Sequence, residues 1–283
     1  MFGKTMQVRG NLLELSPALV MGIVNLTPDS FFAASRQLTE ASILEKVHQH
    51  IAEGADIIDL GGYSSRPGAD FVSEEEEKKR LDFGLSIIRR AYPEVLISVD
   101  TFRSNIARHC FDKYRIDFVN DISAGVLDGN MFSTIAELKI PYIMMHMRGT
   151  VENMMDFTHY EHLFSDIFLY FSKKISELRQ MGVSDIILDP GFGFSKTMDQ
   201  NYILMSKLES FDIFDLPLLI GVSRKKMIRN LLHCEVEDSL SGTTVLHSMA
   251  LMKGANILRV HDVRAAKEAV LLVHTTKQME HAN

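Results

Sequence analysis

Cysteine is scarce in this chain: only 2 occur among 283 residues, Cys110 and Cys234. Neither lies in a CxxC or Cys/His ligand spacing. That excludes a disulfide-stapled secreted scaffold and favours a reducing cytoplasm, with both cysteines read as small core or helix residues and not as nucleophiles. Positive charge is also short. A formal net charge of -7 argues against nucleic acid, which asks for a basic face, but leaves an anionic substrate open. No apolar run reaches the length of a membrane span, and the first residues show no basic region leading into an apolar stretch. A soluble cytoplasmic protein with no membrane partner is expected. Low-complexity tracts and linkers are missing too, so 1–283 reads as one domain, with an apolar fraction of 46% to build its core.

What the chain does have is a rhythm. Short branched apolar runs end again and again in a polar or glycine cluster. Leu19–Val24 runs into Asn25, Ile57–Leu60 into Gly61-Gly62-Tyr63-Ser64-Ser65-Arg66, Leu96–Val99 into Asp100, and Phe118-Val119 into Asn120-Asp121. Tyr142–Met145 leads to His146, Ile186–Leu188 to Asp189-Pro190-Gly191, Leu218–Val222 to Ser223-Arg224-Lys225, and Ile257-Leu258 to Arg259-Val260-His261-Asp262. Each interval holds about one helix. Roughly eight strand–helix units predict an α/β fold, the (β/α)8 TIM barrel, whose active site lies on the loops after the strands. Gln7–Leu15, alternating around Gly10-Asn11, adds a short N-terminal hairpin that can plug the barrel's far end.

Helices are expected over Thr39–Glu53, ended by Gly54, and from Ser73 onward, where Ser73-Glu74-Glu75-Glu76 is a capping-box pattern. The charge run Glu74–Arg80 has acid before base at i,i+4, the favourable order on a solvated helix. Further helices fit Ser104–Lys113, Met131–Leu138, Tyr160–Met181, Gln200–Ser206, Ser239–Lys253 and Arg264–Lys277. Tyr160–Met181 carries more apolar residues than one barrel contact needs; core packing and a subunit interface both account for it.

The strand ends carry the chemistry. Asp100, Asn120 and Asp189 offer carboxylates and an amide, the complement of a heterocycle with an amino-pyrimidinone edge. Arg66, Arg224, Lys225, Arg259 and His261 form a cationic set suited to a diphosphate. Asn25 is a hard oxygen donor that magnesium can share with phosphate oxygens. Asp189-Pro190-Gly191-Phe192-Gly193-Phe194 is a glycine-rich turn without the dinucleotide spacing. Singly, the other polar residues have plainer readings: His146 as a satisfied core histidine, Asp56 and Asp59 as strand-edge residues.

Taken in order, these segments resemble the pterin-binding enzymes. The resemblance runs from Met21 to Asp262 and rests on Met21-Gly22-Ile23-Val24-Asn25-Leu26-Thr27-Pro28-Asp29-Ser30-Phe31, Gly61-Gly62-Tyr63-Ser64-Ser65-Arg66-Pro67-Gly68, Ser98-Val99-Asp100-Thr101, Asn120-Asp121-Ile122, Met145-His146-Met147 and Asp189–Phe194. Ser223-Arg224-Lys225 and Arg259-Val260-His261-Asp262 point to the dihydropteroate synthase branch of that family. The resemblance implies a transferase of folate biosynthesis that condenses 6-hydroxymethyl-7,8-dihydropterin diphosphate with 4-aminobenzoate, forming 7,8-dihydropteroate and pyrophosphate. By position it implies Asp100, Asn120, Met145, Asp189, Lys225 and Arg259 at the pterin. Asn25, Ser65, Arg66, Arg259 and His261 fall at the diphosphate, Asn25 through Mg2+. Arg66, Pro67, Phe194 and Lys226 fall at the aminobenzoate, the target site of sulfonamides. Asp100, Asp189, Lys225, Arg259 and His261 carry the catalysis, in a homodimer with small-molecule substrates. A folate-dependent methyltransferase and a silent pterin-binding barrel are the competing readings.

The chain also departs from the family pattern. Ala33 stands where an aspartate is usual, Tyr63 replaces a glutamate, Ser65 a threonine, and Lys226 a serine. The segment Ser30–Arg36 is expected to close as a lid, with Arg36 on phosphate and Phe31 or Phe32 excluding water; packing of its phenylalanines on the barrel is the plainer reading.

Overall fold

Eight parallel strands with helices between them make up a barrel in the computed structural model, which describes residues 4–27, 39–63 and 72–280. Ahead of it lies the expected hairpin, β1 (Thr5–Val8) and β2 (Asn11–Glu14), paired antiparallel. Its two-residue turn, Arg9-Gly10, takes positive φ at both positions (51° and 78°), the twist a tight hairpin needs. The barrel strands are β3 (Leu19–Asn25), β4 (Ile57–Gly61), β5 (Leu96–Asp100), β6 (Phe118–Asp121), β7 (Tyr142–Met145), β8 (Ile186–Asp189), β9 (Leu219–Ile220) and β10 (Ile257–Val260). They neighbour in the order β8-β7-β6-β5-β4-β3-β10-β9, and a parallel bridge between Leu188 and Leu218 joins the two edges.

The helices are α1 (Glu40–Ala52), α2 (Glu74–Ala91), α3 (Ser104–Tyr114), α4 (Met131–Leu138), α5 (Leu163–Gln180), α6 (Met198–Ser206), α7 (Lys226–Leu232), α8 (Leu240–Met252) and α9 (Val263–Glu280). Thr39 starts α1 and Thr197 starts α6, each with a reciprocal capping box. Ser73 delivers half of the expected box on α2, accepting from the Glu76 amide. The ion pairs Glu75–Lys79 and Glu76–Arg80 form as the spacing predicts, but Glu77 in the same run is buried and paired with Arg103 of the next unit. Core packing accounts for α5: it buries Ile167, Phe171, Ile175 and Leu178, with Phe168 and Phe171 edge-on to Phe211 and Phe214.

Alternation along each strand divides the barrel interior into an apolar floor and a polar ceiling. Met21, Ile57, Phe118, Ile143, Ile187, Leu219 and Ile257 pack together at the bottom, and Met6, Val8 and Leu15 of the hairpin segment join that cluster. The hairpin is therefore a plug, as its position in the sequence suggests. Two residues further along, four of these inward positions turn polar: Asp59 after Ile57, Asn120 after Phe118, Asp189 after Ile187, and Arg259 after Ile257. That change sets the depth of the site.

Candidate active site

Strand register assembles the site's first row. Asn25 of β3 pairs with Gly61, Gly61 with Asp100, and Asp100 with Asn120. Asn25, Asp100 and Asn120 thus stand side by side at the C-terminal end of the barrel, and an added Cβ at Gly61 would lie 3.8 Å from Asn25 Oδ1 and 3.6 Å from Asp100 Cβ.

Arg259 is the charge at the centre. Its Nε donates to Asp59 Oδ2 and its Nη2 to Asp100 Oδ2, both at 2.6 Å. Asp59 is 0% exposed and also accepts from Asn120 Nδ2 at 3.4 Å, while its Oδ1 has no hydrogen-bond partner. Burial opposes charge on Arg259, yet Asp59 and Asp100 hold its pKa above the ordinary arginine value. Burial likewise pushes Asp100 up, with Arg259 opposing. Asp59 corrects its reading as a strand-edge residue. It belongs to the site, and the signal was available: a carboxylate inside the run Ile-Ile-Asp-Leu, in step with the inward Ile57 and Gly61. Asp56 does stay structural, accepting from the Val20 amide and pairing with Lys267.

Asp189 sits across the barrel at the end of β8. Its Oδ1 accepts from the Gly191 amide at 2.8 Å, and burial raises its pKa against Lys225, the amide of Gly191 and Arg259. Lys225, which leads into α7, donates to the Phe192 carbonyl and lies 4.6 Å from the centre of the Phe194 ring. Burial lowers Lys225 to about 8, with Asp189 raising it and Arg259 lowering it. Met145 is buried in an apolar group with Ile122, Met147, Val151 and Met154, and Phe194 packs on the same group. A thioether and aromatic group therefore stands beside Asp189, the register partner of Met145, while the paired carboxylates and guanidinium of Asp59, Asp100 and Arg259 come from β4, β5 and β10.

His261 lies just past β10, with its Nδ1 3.0 Å from Ser223 Oγ and its amide donating to the same oxygen at 3.2 Å. Lys226 is the exposed first residue of α7. Arg224 leaves the cationic set: its guanidinium grips Asp262 through both Nε (2.8 Å) and Nη2 (2.6 Å). His146 is a satisfied core histidine, edge-on to Tyr170 and held by Lys196. Cys110 is buried, which pushes its thiol well up and fits the core role. Ser65, Arg66, Pro67 and the whole segment Ser30–Arg36 fall outside the described residues. Among the described residues, no group of three His, Cys, Asp or Glu side chains could hold a metal ion. No helix among them is long and apolar enough to cross a membrane.

Comparison with known proteins agrees with this geometry. The family described as pterin binding enzyme matches residues 21–261. The chain is 38% identical over 270 residues to the dihydropteroate synthase of Escherichia coli K12, covering 95% of each. The Haemophilus influenzae dihydropteroate synthase is 36% identical, with 93% of this chain and 96% of that protein covered. Among solved structures, the Yersinia pestis dihydropteroate synthase in complex with a sulfonamide drug superposes with a TM-score of 0.91 at 34% identity, over 97% of this chain and 100% of that one. The Xanthomonas albilineans enzyme with 4-aminobenzoic acid gives 0.88 at 31%, over 98% and 99%.

Proposed function

The chain belongs to the pterin-binding enzyme family, and from that premise we propose how its strand-end residues divide the work of a dihydropteroate synthase, the activity it carries. The observation that bears most weight is the Asp59–Arg259–Asp100 arrangement with Asn120, Asp189 and Lys225 around it: a buried set of paired donors and acceptors above an apolar floor. The reaction joins the dihydropterin methylene to the aniline nitrogen. The carbon–oxygen bond to the diphosphate breaks, its electron pair leaves on pyrophosphate, and the amine gives up a proton.

Asp100, Asn120 and Asp189 accept from or donate to the amino-pyrimidinone edge, while Met145 covers the ring. Lys225 donates beside Asp189. Arg259 and His261 face the diphosphate, and Arg259, already fixed by two carboxylates, needs no reorganisation as charge builds on the leaving oxygen. Ser65 and Arg66 extend that cationic rim, and Arg66, Pro67, Phe194 and Lys226 receive the aminobenzoate, the pocket a sulfonamide would occupy. Asn25 supplies one neutral oxygen at the mouth, which suits Mg2+ held chiefly by phosphate oxygens and water. When bound, Mg2+ would offset charge on the departing diphosphate. A coupled pyrophosphate assay tests the proposal: release should need the pterin diphosphate, 4-aminobenzoate and Mg2+ together. Release without the aminobenzoate, or undiminished in chelator, would sink the corresponding assignment.

Lys225 gives a pH signature. Its proton is present below about 8 and lost above, so affinity for a dihydropterin lacking the diphosphate should fall as pH rises through that value. The linkage for stability has the opposite slope. The folded state loses this proton near 8 and the unfolded state near 10.5, so between them the unfolded chain binds more protons and the free enzyme gains stability. Calorimetric titration of wild type and Lys225→Arg checks the first part. The same alkaline decline in both would remove Lys225 as its source.

A homodimer and a cytoplasmic setting complete the proposal. Val245, Met249 and Met252 on α8 and Leu271, Leu272 and Met279 on the neighbouring α9 are exposed apolar side chains, the kind of surface a second copy covers. Two unpaired cysteines suit a reducing compartment.

A further inference from the structure

Lys196 is a lysine with nowhere to go. It is 2% exposed, yet its ammonium meets three acceptors: His146 Nδ1 at 3.0 Å, the Gly191 carbonyl at 3.0 Å and the Phe194 carbonyl at 3.1 Å. Burial lowers its pKa to about 7, with Asp189 raising it and Lys225 and Arg148 lowering it; below that value all three hydrogens of the ammonium have acceptors. Because Nδ1 of His146 accepts, the imidazole carries its proton on Nε2; burial, with Lys196 and Arg148 nearby, holds it neutral.

These contacts span two loops that the sheet ladder no longer holds. Beyond β8 the chain runs through Gly191 (φ 72°), Gly193 (φ 79°) and Ser195 (φ 50°), a turn built from left-handed residues. It lies hard against the β7 loop, for a Cβ at Gly191 would come within 2.1 Å of the His146 carbonyl. Hydrogen bonds fasten its two ends: His146 N donates to Asp189 O at 2.9 Å, and Arg148 N to the Ser195 side-chain Oγ at 2.8 Å. Lys196 fastens the middle at the Gly191 and Phe194 carbonyls, beside Lys225 on the Phe192 carbonyl and Asn201 Oδ1 on the Gly193 amide.

We propose that Lys196, seated on His146, is a positioning residue that fixes the height of the Phe194 ring and so shapes the aminobenzoate side of the cavity. The inference rests on the assignment of Phe194 to that pocket. Asp189 keeps the Gly191 amide on its carboxylate and the His146 amide on its carbonyl, backbone bonds that do not use the Lys196 side chain. Loss of the clamp therefore separates the two substrates.

Steady-state kinetics with both substrates, and calorimetry with a dihydropterin lacking the diphosphate, test this on the full chain. Lys196→Met and His146→Leu should each raise KM for 4-aminobenzoate about tenfold, the worth of a charge-assisted hydrogen bond. Their kcat and pterin affinity should stay near wild type. His146→Asn, whose Oδ1 stands close to the Nδ1 position, should recover most of the lost KM, and this pair decides the matter if Lys196→Met fails to fold. Equal damage from His146→Asn and His146→Leu, or a parallel loss of pterin affinity, would overturn the proposal. Phe194→Ala is the gauge: it should raise the same KM by at least as much. An unchanged KM in Phe194→Ala would withdraw the pocket assignment, and the inference with it. A raised KM there with wild-type behaviour in the clamp variants would overturn the inference alone.

Discussion

Arg259→Met is expected to cost roughly 100- to 1,000-fold in kcat/KM, the usual loss when one fixed donor to a developing oxyanion is removed. It should also destabilise the free enzyme by about 3–5 kcal/mol, because one partner of a buried pair is left uncompensated. The geometry explains both. Asp59 is fully buried, one of its oxygens has no hydrogen-bond partner, and the other relies on Arg259 at 2.6 Å with Asn120 more distant at 3.4 Å. Taking the guanidinium away leaves a carboxylate in the barrel with little to face. Adding Asp59→Asn to the same variant should therefore restore more than half of the lost stability, since the amide has no charge to compensate. Turnover should not return. Denaturant unfolding and the pyrophosphate assay on both variants separate the two roles. A stability change below about 1 kcal/mol, that of an ordinary surface pair, would show that the pair is not what holds the interior. Recovered turnover in the double variant would remove Arg259 from the chemistry.

Much of this interior was legible in the sequence, for a physical reason. Parallel strands covered on both sides are short branched runs, and their ends stand out because a barrel puts polar residues where its apolar floor stops. Asp100, Asn120, Asp189, Lys225 and Arg259 could be read that way. What escaped was set by partners distant in the chain. Arg224 looks like one more phosphate ligand until Asp262, 38 residues on, takes the Nε and Nη2 edge of its guanidinium. Glu77 looks like part of a solvated charge run until Arg103 reaches it. Lys196 has no local pattern, since its acceptors come from a turn and from a histidine 50 residues away. The strand expected over Leu218–Val222 shortens to Leu219–Ile220, because beyond it the backbone turns to deliver Ser223 and Lys225. The separate helix α7, seven residues with no side-chain cap, is too short for periodicity to announce.

Asp189→Asn is expected to weaken pterin binding by about 1.5–3 kcal/mol, the worth of a hydrogen bond to a charged group, while leaving the fold intact. The structure separates the two oxygens of this carboxylate. Oδ1 accepts from the Gly191 amide at 2.8 Å, and an asparagine oxygen can keep that bond, so the turn that follows β8 retains its anchor. Oδ2 lies 4.0 Å from where a Cβ at Gly221 would stand, in the space between β8 and β9 above the floor. An amide NH2 there presents hydrogens to the N–H donors of the heterocycle, so a good acceptor becomes a repulsive neighbour. Thermal stability should change little, because relief of the carboxylate that burial disfavours offsets the lost support of the Lys225 charge. Lys225 supplies an independent readout. Asp189 is the group that raises the pKa of Lys225 against burial, so removing its charge should move the alkaline decline of the residual pterin affinity to lower pH. Calorimetry across that range on a folded Asp189→Asn protein measures both effects at once. Wild-type affinity would sink the assignment of Asp189 to the pterin, and weakened affinity with an unmoved pH limb would sink its coupling to Lys225.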